Sequence, residues 1–118
     1  MKAVILFGHG SRDARWREAM DAVATRVAAL DPALAVRCAF LEMTQPDLVS
    51  CVGELALAGA TTITVMPLFL GTGRHARHDL PLLMDQVRND HPQIAITLLP
   101  PAGEHPAVLD LLARISIE

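Results

Sequence analysis

Tyrosine is absent from this 118-residue chain, tryptophan occurs once and phenylalanine three times, so aromatics make up only 3% of it. Such a chain can still build a core from Ala, Val, Leu and Ile. Cysteine is nearly absent too. Cys38 and Cys51 lack CxxC spacing and sit in apolar settings, so they read as reduced core residues of a cytoplasmic protein rather than a disulfide or a zinc site. No apolar run reaches the roughly 18 residues of a membrane span. The opening MKAVILFGHG lacks the long apolar region and cleavage site of a signal peptide and reads as a strand. Positive charge is not in excess either: the formal charge is −3, which argues against a general nucleic-acid binder. No linker, repeat or low-complexity tract divides the chain, and its length suits a single domain, 1–118. What the chain has is apolar residues, 52% of the total, with a mean hydropathy of +0.35. That is enough for a core, with apolar surface left over for a partner.

The apolar residues alternate between two periods. Residues 2–7, KAVILF, form a continuous apolar run, as expected of a parallel strand covered on both faces. Ser11 can cap a following helix in which Trp16, Met20, Val23, Val27 and Leu30 keep 3.6-residue spacing, with Pro32 beyond its end. A second strand is expected over 34–40, with Val36, Cys38 and Phe40 on one face. Thr44 as cap and Pro46 as first residue then open a helix carrying Leu48, Val52 and Leu55 that stops near Gly59. The third strand lies within 61–70, the loop GTGRHARHD follows, and a third helix runs over about 79–89 with Leu82, Leu83 and Val87 inward. The fourth strand is 93–99, and Pro106 starts a last helix with Val108, Leu111 and Leu112 inward. Four strand–helix units in order imply an α/β fold: a single doubly wound domain with a four-stranded parallel sheet and helices on both faces.

In such sheets ligands bind beyond the carboxyl ends of the strands. His9 follows strand one between two glycines, Glu42 follows strand two, and His75 lies in the loop after strand three. Singly, each has a plain alternative: a glycine turn with a solvated histidine, or a surface charge. Together they are two imidazoles and a carboxylate on one sheet edge, a donor set suited to Co²⁺, Fe²⁺, Ni²⁺ or Zn²⁺. Arg12, Arg15, Arg74 and Arg77 flank the same edge and suit carboxylate recognition, although solvated charge is the alternative for them as well. His78 reads as a solvated helix-start residue and His91 as a cation at a helix C-terminus. His105 reads as the cap before Pro106, and Met20, Met43, Met66 and Met84 as core fillers. The dinucleotide fingerprint, the phosphate-binding P-loop and the GxSxG elbow are all missing.

VILFGHGSRD, AFLEMTQPDL, VMPLFLGTGRHARHDLP and GEHPAVLDLLARI, taken together, resemble the small CbiX/SirB chelatases of cobalamin and siroheme synthesis. The resemblance runs essentially end to end. It implies insertion of a divalent metal, Co²⁺ or Fe²⁺, into sirohydrochlorin, with the metal as substrate and no organic cofactor. It also implies that His9 and His75 are the two active-site histidines, with Glu42 the acidic residue grouped with them. Ser11, Arg12, Arg15, Arg74 and Arg77 are then the groups for a carboxylate-rich tetrapyrrole. Longer relatives carry two such domains in tandem, so a chain of this length implies a homodimer.

Chemistry accords with those residue types. Metallating a tetrapyrrole removes two pyrrole N–H protons, and an imidazole, with a pKa ordinarily near 6.5, can accept a proton or hold a cation at neutral pH. Two other readings stand beside this one. A non-catalytic metal or tetrapyrrole carrier would need the same ligands. A small histidine phosphatase would place arginine before the strand-end histidine, where this chain has Gly8.

Overall fold

The apolar runs rich in Val, Ile and Leu become the strands. In a computed structural model, which describes residues 1–118, β1 spans Lys2–Gly8, β2 Ala35–Phe40, β3 Thr62–Pro67 and β4 Ala95–Leu98. They form one parallel sheet in the order β2-β1-β3-β4, with Leu6 paired to Cys38 on one side and to Met66 on the other. Helices α1 (Glu18–Leu30), α2 (Leu48–Leu57) and α3 (Arg74–Asp90) connect the strands, and α4 (Pro106–Ser116) follows the last. The α/β doubly wound architecture expected from the alternating periods is the one observed. No helix is long and apolar enough to cross a membrane.

The two faces of the sheet are covered unequally. Ile5, Phe7, Ile63, Val65 and Ile96 pack with Leu48, Val52 and Leu55 of α2 and with Leu80, Met84 and Val87 of α3 in the main core. On the other face only α1 packs, and a small cluster of Leu6, Met20 and Phe40 is fully enclosed. Val36 and Cys38 lie on the same side as Phe40, as their alternation requires.

Several local expectations are corrected. Ser11 is not the helix cap: its hydroxyl accepts the Asp13 N–H at 3.0 Å. Asp13 then accepts the Arg15 N–H at 2.9 Å and opens a 3-10 turn, Ala14–Arg17, ahead of α1. Of the five apolar residues expected along this helix only Met20 is buried; Trp16 falls in the 3-10 turn, and Leu30 is 86% exposed. Thr44 and Pro46 do not start α2 either. Asp47 accepts the Ser50 N–H at 2.8 Å, and the Thr44 hydroxyl is occupied elsewhere. The third helix begins five residues early, at Arg74, drawn in by burial of Ala76 and Leu80, and Leu82 points outward. Met43, expected in the core, is exposed. The last correction is the largest: Leu111 and Leu112 face solvent, and α4 packs chiefly against a 3-10 turn, Ala102–Glu104. His105 does cap α4, its Nδ1 accepting the Ala107 N–H at 3.2 Å, and His91 does end α3.

Both cysteines are free thiols. Burial, with the neighbouring Glu54 charge adding to it, pushes the Cys51 thiol up from 9.0 to about 11. A folded-state value above the unfolded one means that this contribution to stability is complete below the unfolded pKa and is lost as pH rises through about 11. Tyrosine is absent and lysine occurs once, so the main other group in that window is the half-buried Cys38 thiol, which burial also pushes up. Urea unfolding should therefore show constant stability from pH 7 to 8 and a decline of up to roughly 3 kcal/mol by pH 11. Cys51→Ala should remove most of that decline; equal slopes for the two proteins would refute it.

Candidate functional site

β1 and β3 are neighbours whose following helices leave on opposite faces, so a crevice opens between their carboxyl ends. His9 is the first residue past β1 and stands at that crevice. Its ring stacks on Phe69, which follows β3, with centroids 4.2 Å apart and 28° between the planes. Phe69 is itself buried and meets Phe7 edge-on at 6.0 Å. The Leu68 N–H donates to the Phe7 carbonyl at 2.8 Å, which holds the segment after β3 against β1. His9 is thus a half-buried imidazole on a fixed aromatic platform, not a solvated loop side chain.

The segment after β2 is locked to the one after β1. Leu41 N–H donates to the Gly8 carbonyl and Glu42 N–H to the His9 carbonyl, both at 2.9 Å. Gly10 has φ +100°, and a Cβ there would collide with the Glu42 carbonyl, so the clearance that glycine provides is for the chain itself. The Thr44 hydroxyl accepts the Ser11 N–H at 3.0 Å and donates to the Ser11 carbonyl at 2.9 Å. Between Glu42 and Thr44 the exposed Met43 is held at φ +63°, a conformation unusual for a side chain of its size. Backbone pairing therefore fixes His9 beside Glu42.

His75 is not in a loop. It is the second residue of α3, exposed, with Arg74 before it and Arg77 and His78 in the next half-turn. The Arg77 Nη2 donates to the Thr72 carbonyl at 3.0 Å. This first turn holds no acidic residue. Cations at a helix N-terminus oppose the dipole, so the arrangement runs against the local electrostatic preference. Arg12 and Arg15 are exposed beside the turn that follows His9.

Backbone placement brings His9 and Glu42 together, yet no three His, Cys, Asp or Glu side chains are grouped closely enough to hold a metal ion. None of the four cavities is lined by His9, Glu42 or His75; the largest, about 520 Å³, lies between α1, β2 and α2 beside Arg17, Arg37 and Cys38. The shelf carrying the histidines is open. Phe69 and Thr44 were invisible as site residues in the sequence. Phe69 belongs to an apolar run that reads as strand, and Thr44 reads as a helix cap.

The CbiX family model matches residues 3–118. A sirohydrochlorin cobaltochelatase of Methanococcoides burtonii is 28% identical, with 98% of this chain and 94% of that protein covered. A sirohydrochlorin ferrochelatase of Priestia megaterium is 32% identical over 97% of this chain, which spans only 43% of that longer protein. Among solved structures, a cobalamin biosynthesis CbiX protein of Marinobacter aquaeolei VT8 superposes with a TM-score of 0.83 at 32% identity, covering 99% of this chain and 94% of that one.

The lock between the two segments is directly testable. Gly10→Ala should cost about 1–3 kcal/mol in urea unfolding, from the positive φ and the carbonyl collision. Gly71→Ala, where an added methyl meets nothing within 4 Å, should be nearly neutral. Thr44→Val should cost about 1–3 kcal/mol and Thr44→Ser much less, since serine keeps both hydrogen bonds. Equal effects of the two Thr44 variants would remove the hydroxyl from the lock.

Proposed function

Because the chain belongs to the CbiX family, we propose that it inserts a divalent metal, Co²⁺ or Fe²⁺, into sirohydrochlorin. The observation that carries this reading is the His9 imidazole, stacked on Phe69 at the sheet's switch point and tied through its own carbonyl to Glu42. A macrocycle lying on the open shelf would meet the rigid imidazole near its centre and the first turn of α3 at its rim. Insertion exchanges one M²⁺ for two pyrrole protons, so charge balances without any redox step. His9 and His75 offer imidazole nitrogens that hold the partly desolvated cation or take those protons, and Glu42 lowers the net charge of the metal on arrival. Arg12, Arg15, Arg74 and Arg77, with Ser11, face the ring's carboxylates. An anionic substrate offsets the dipole cost of placing cations at the start of α3. Exposed Met43 and Leu70 supply apolar surface for a flat ring.

The working form is a homodimer. A tetrapyrrole is a broad plate, and a shelf that forms no cavity covers one side of it. A second copy across a two-fold axis supplies the other wall and can bring His75 and His9 of opposite copies to one metal. A cytoplasmic location accords with two free cysteines. The donor set does not choose sharply among Co²⁺, Fe²⁺ and Ni²⁺. A preference for cobalt is supported by the relative of matching length, which is a cobaltochelatase.

Incubating the protein with sirohydrochlorin and Co²⁺ or Fe²⁺ under anaerobic conditions, and following the absorbance of the metallated ring, tests this reading. Wild-type protein should accelerate metallation with both metals, and His9→Ala or His75→Ala should each lose about 100-fold or more. Glu42→Gln should lose less, because both imidazoles remain to hold the metal and take the protons. Tight binding of ring or metal with no acceleration would replace the enzyme by a carrier.

A further inference from the structure

One residue of this chain is strained where nothing in the fold requires it to be large. Met43 has φ +63°, and it is the only residue other than glycine with a positive φ. The Thr44 N–H donates to the Glu42 carbonyl at 2.8 Å, which closes a three-residue turn around Met43. With positive φ at its centre, such a turn is the rare and strained γ form. Both flanks are pinned. The Glu42 N–H donates to the His9 carbonyl at 2.9 Å, and Gly10 lies directly against the Glu42 carbonyl. The Thr44 hydroxyl bonds both the N–H and the carbonyl of Ser11. The backbone is therefore held in a conformation that glycine or asparagine would adopt at less cost.

Folding gains little from the methionine in return. Met43 is 57% exposed and belongs to neither packed cluster, whereas Met20 and Met84 are buried. Backbone strain that its surroundings over-determine collects at ligand sites. Strand order says which ligand suits this one. In the order β2-β1-β3, the segments after β2 and β3 flank the one after β1, and β2 and β3 lie roughly 10 Å apart. Met43 stands on the β2 side of His9, and Leu70, 71% exposed and next to Phe69, stands on the β3 side. An apolar side chain on each side of a central imidazole suits a flat conjugated plate, and a thioether is polarizable enough to follow the face of one. We propose that Met43 is a binding residue for the tetrapyrrole: its side chain rests on the ring on the β2 side of His9, and the strained turn is kept because it raises that side chain above the shelf. The proposal rests on the chelatase reading above and adds the residue that sets ring affinity. The contact is the same before and after the metal enters, so it governs binding of the ring rather than the insertion step.

Two substitutions separate the strain from the contact. Met43→Asn tolerates a positive φ and lacks the apolar surface, while Met43→Leu keeps the apolar surface and the strain. In urea unfolding the Met43→Asn protein should have a higher midpoint than wild type, and Met43→Leu an equal or lower one. Metal-free sirohydrochlorin is then titrated with each protein and followed by the absorbance of the ring. Its Kd should rise about 10-fold or more in Met43→Asn and stay within about threefold of wild type in Met43→Leu. In the metallation assay KM should rise with that Kd, while kcat changes by less than about threefold. An unchanged ring affinity in Met43→Asn overturns the contact, and a midpoint no higher than wild type overturns the strain. Equal losses of affinity in the two variants also overturn the contact, because leucine keeps the apolar surface. Wild-type protein that binds no metal-free ring overturns the chelatase reading together with this one. Ring binding by wild type with no difference among the variants removes Met43 alone.

Discussion

β1 is hydrogen-bonded along both edges, to β2 and to β3, and the groups able to do chemistry depend on where it stops. Because β1 is central, its carboxyl end is flanked by two segments rather than one. The segment after β2 continues the backbone pairing as far as Glu42, and the segment after β3 delivers Phe69 under the His9 ring. His9 is therefore held by its own carbonyl on one side and by its ring on the other. A reactive imidazole on an ordinary turn would have to give up rotamer freedom each time it engaged a ligand. Here folding has already met that entropy cost.

Charge is distributed against the chain's average. The protein is acidic overall, but the first turn of α3 and the turn after β1 hold arginines and histidines without a carboxylate among them, apart from Asp13, which is engaged as a cap. The electrostatic cost at the start of α3 is small per residue, and burial of Ala76 and Leu80 carries the helix through it. The buried residues that stabilise the scaffold and the exposed cations thus occupy opposite faces of one helix. In α4 the cap is satisfied by His105 while the apolar stripe is left exposed.

How far the sequence could be read differs from feature to feature, and the reason is range. Strand cores were legible because a buried parallel strand needs a continuous apolar run, and Val36, Cys38 and Phe40 alternate as that geometry demands. Caps were misread because Ser11, Asp13, Thr44 and Asp47 are all competent acceptors. The choice among them depends on which hydroxyl is already bonded across the fold, as Thr44 is to Ser11. The start of α3 was misread because cations in a first turn argue locally for a loop. Phe69 could not be recognised as the platform for His9, since the two are sixty residues apart and meet only across the sheet.

The sequence by itself determined the class of fold, the strand cores and the sheet edge that the segments bearing His9, Glu42 and His75 follow, because those follow from periodicity and from the direction of parallel strands. Its family motifs carried the expected chemistry. Only the tertiary structure decided that His9 is stacked rather than solvated and that Gly10 clears the Glu42 carbonyl. It also decided that the apolar stripe of α4 faces outward. Each of these depends on which distant segment arrives at a given place, and that is set by strand order and by hydrogen bonds between loops, which a linear pattern of residues does not encode.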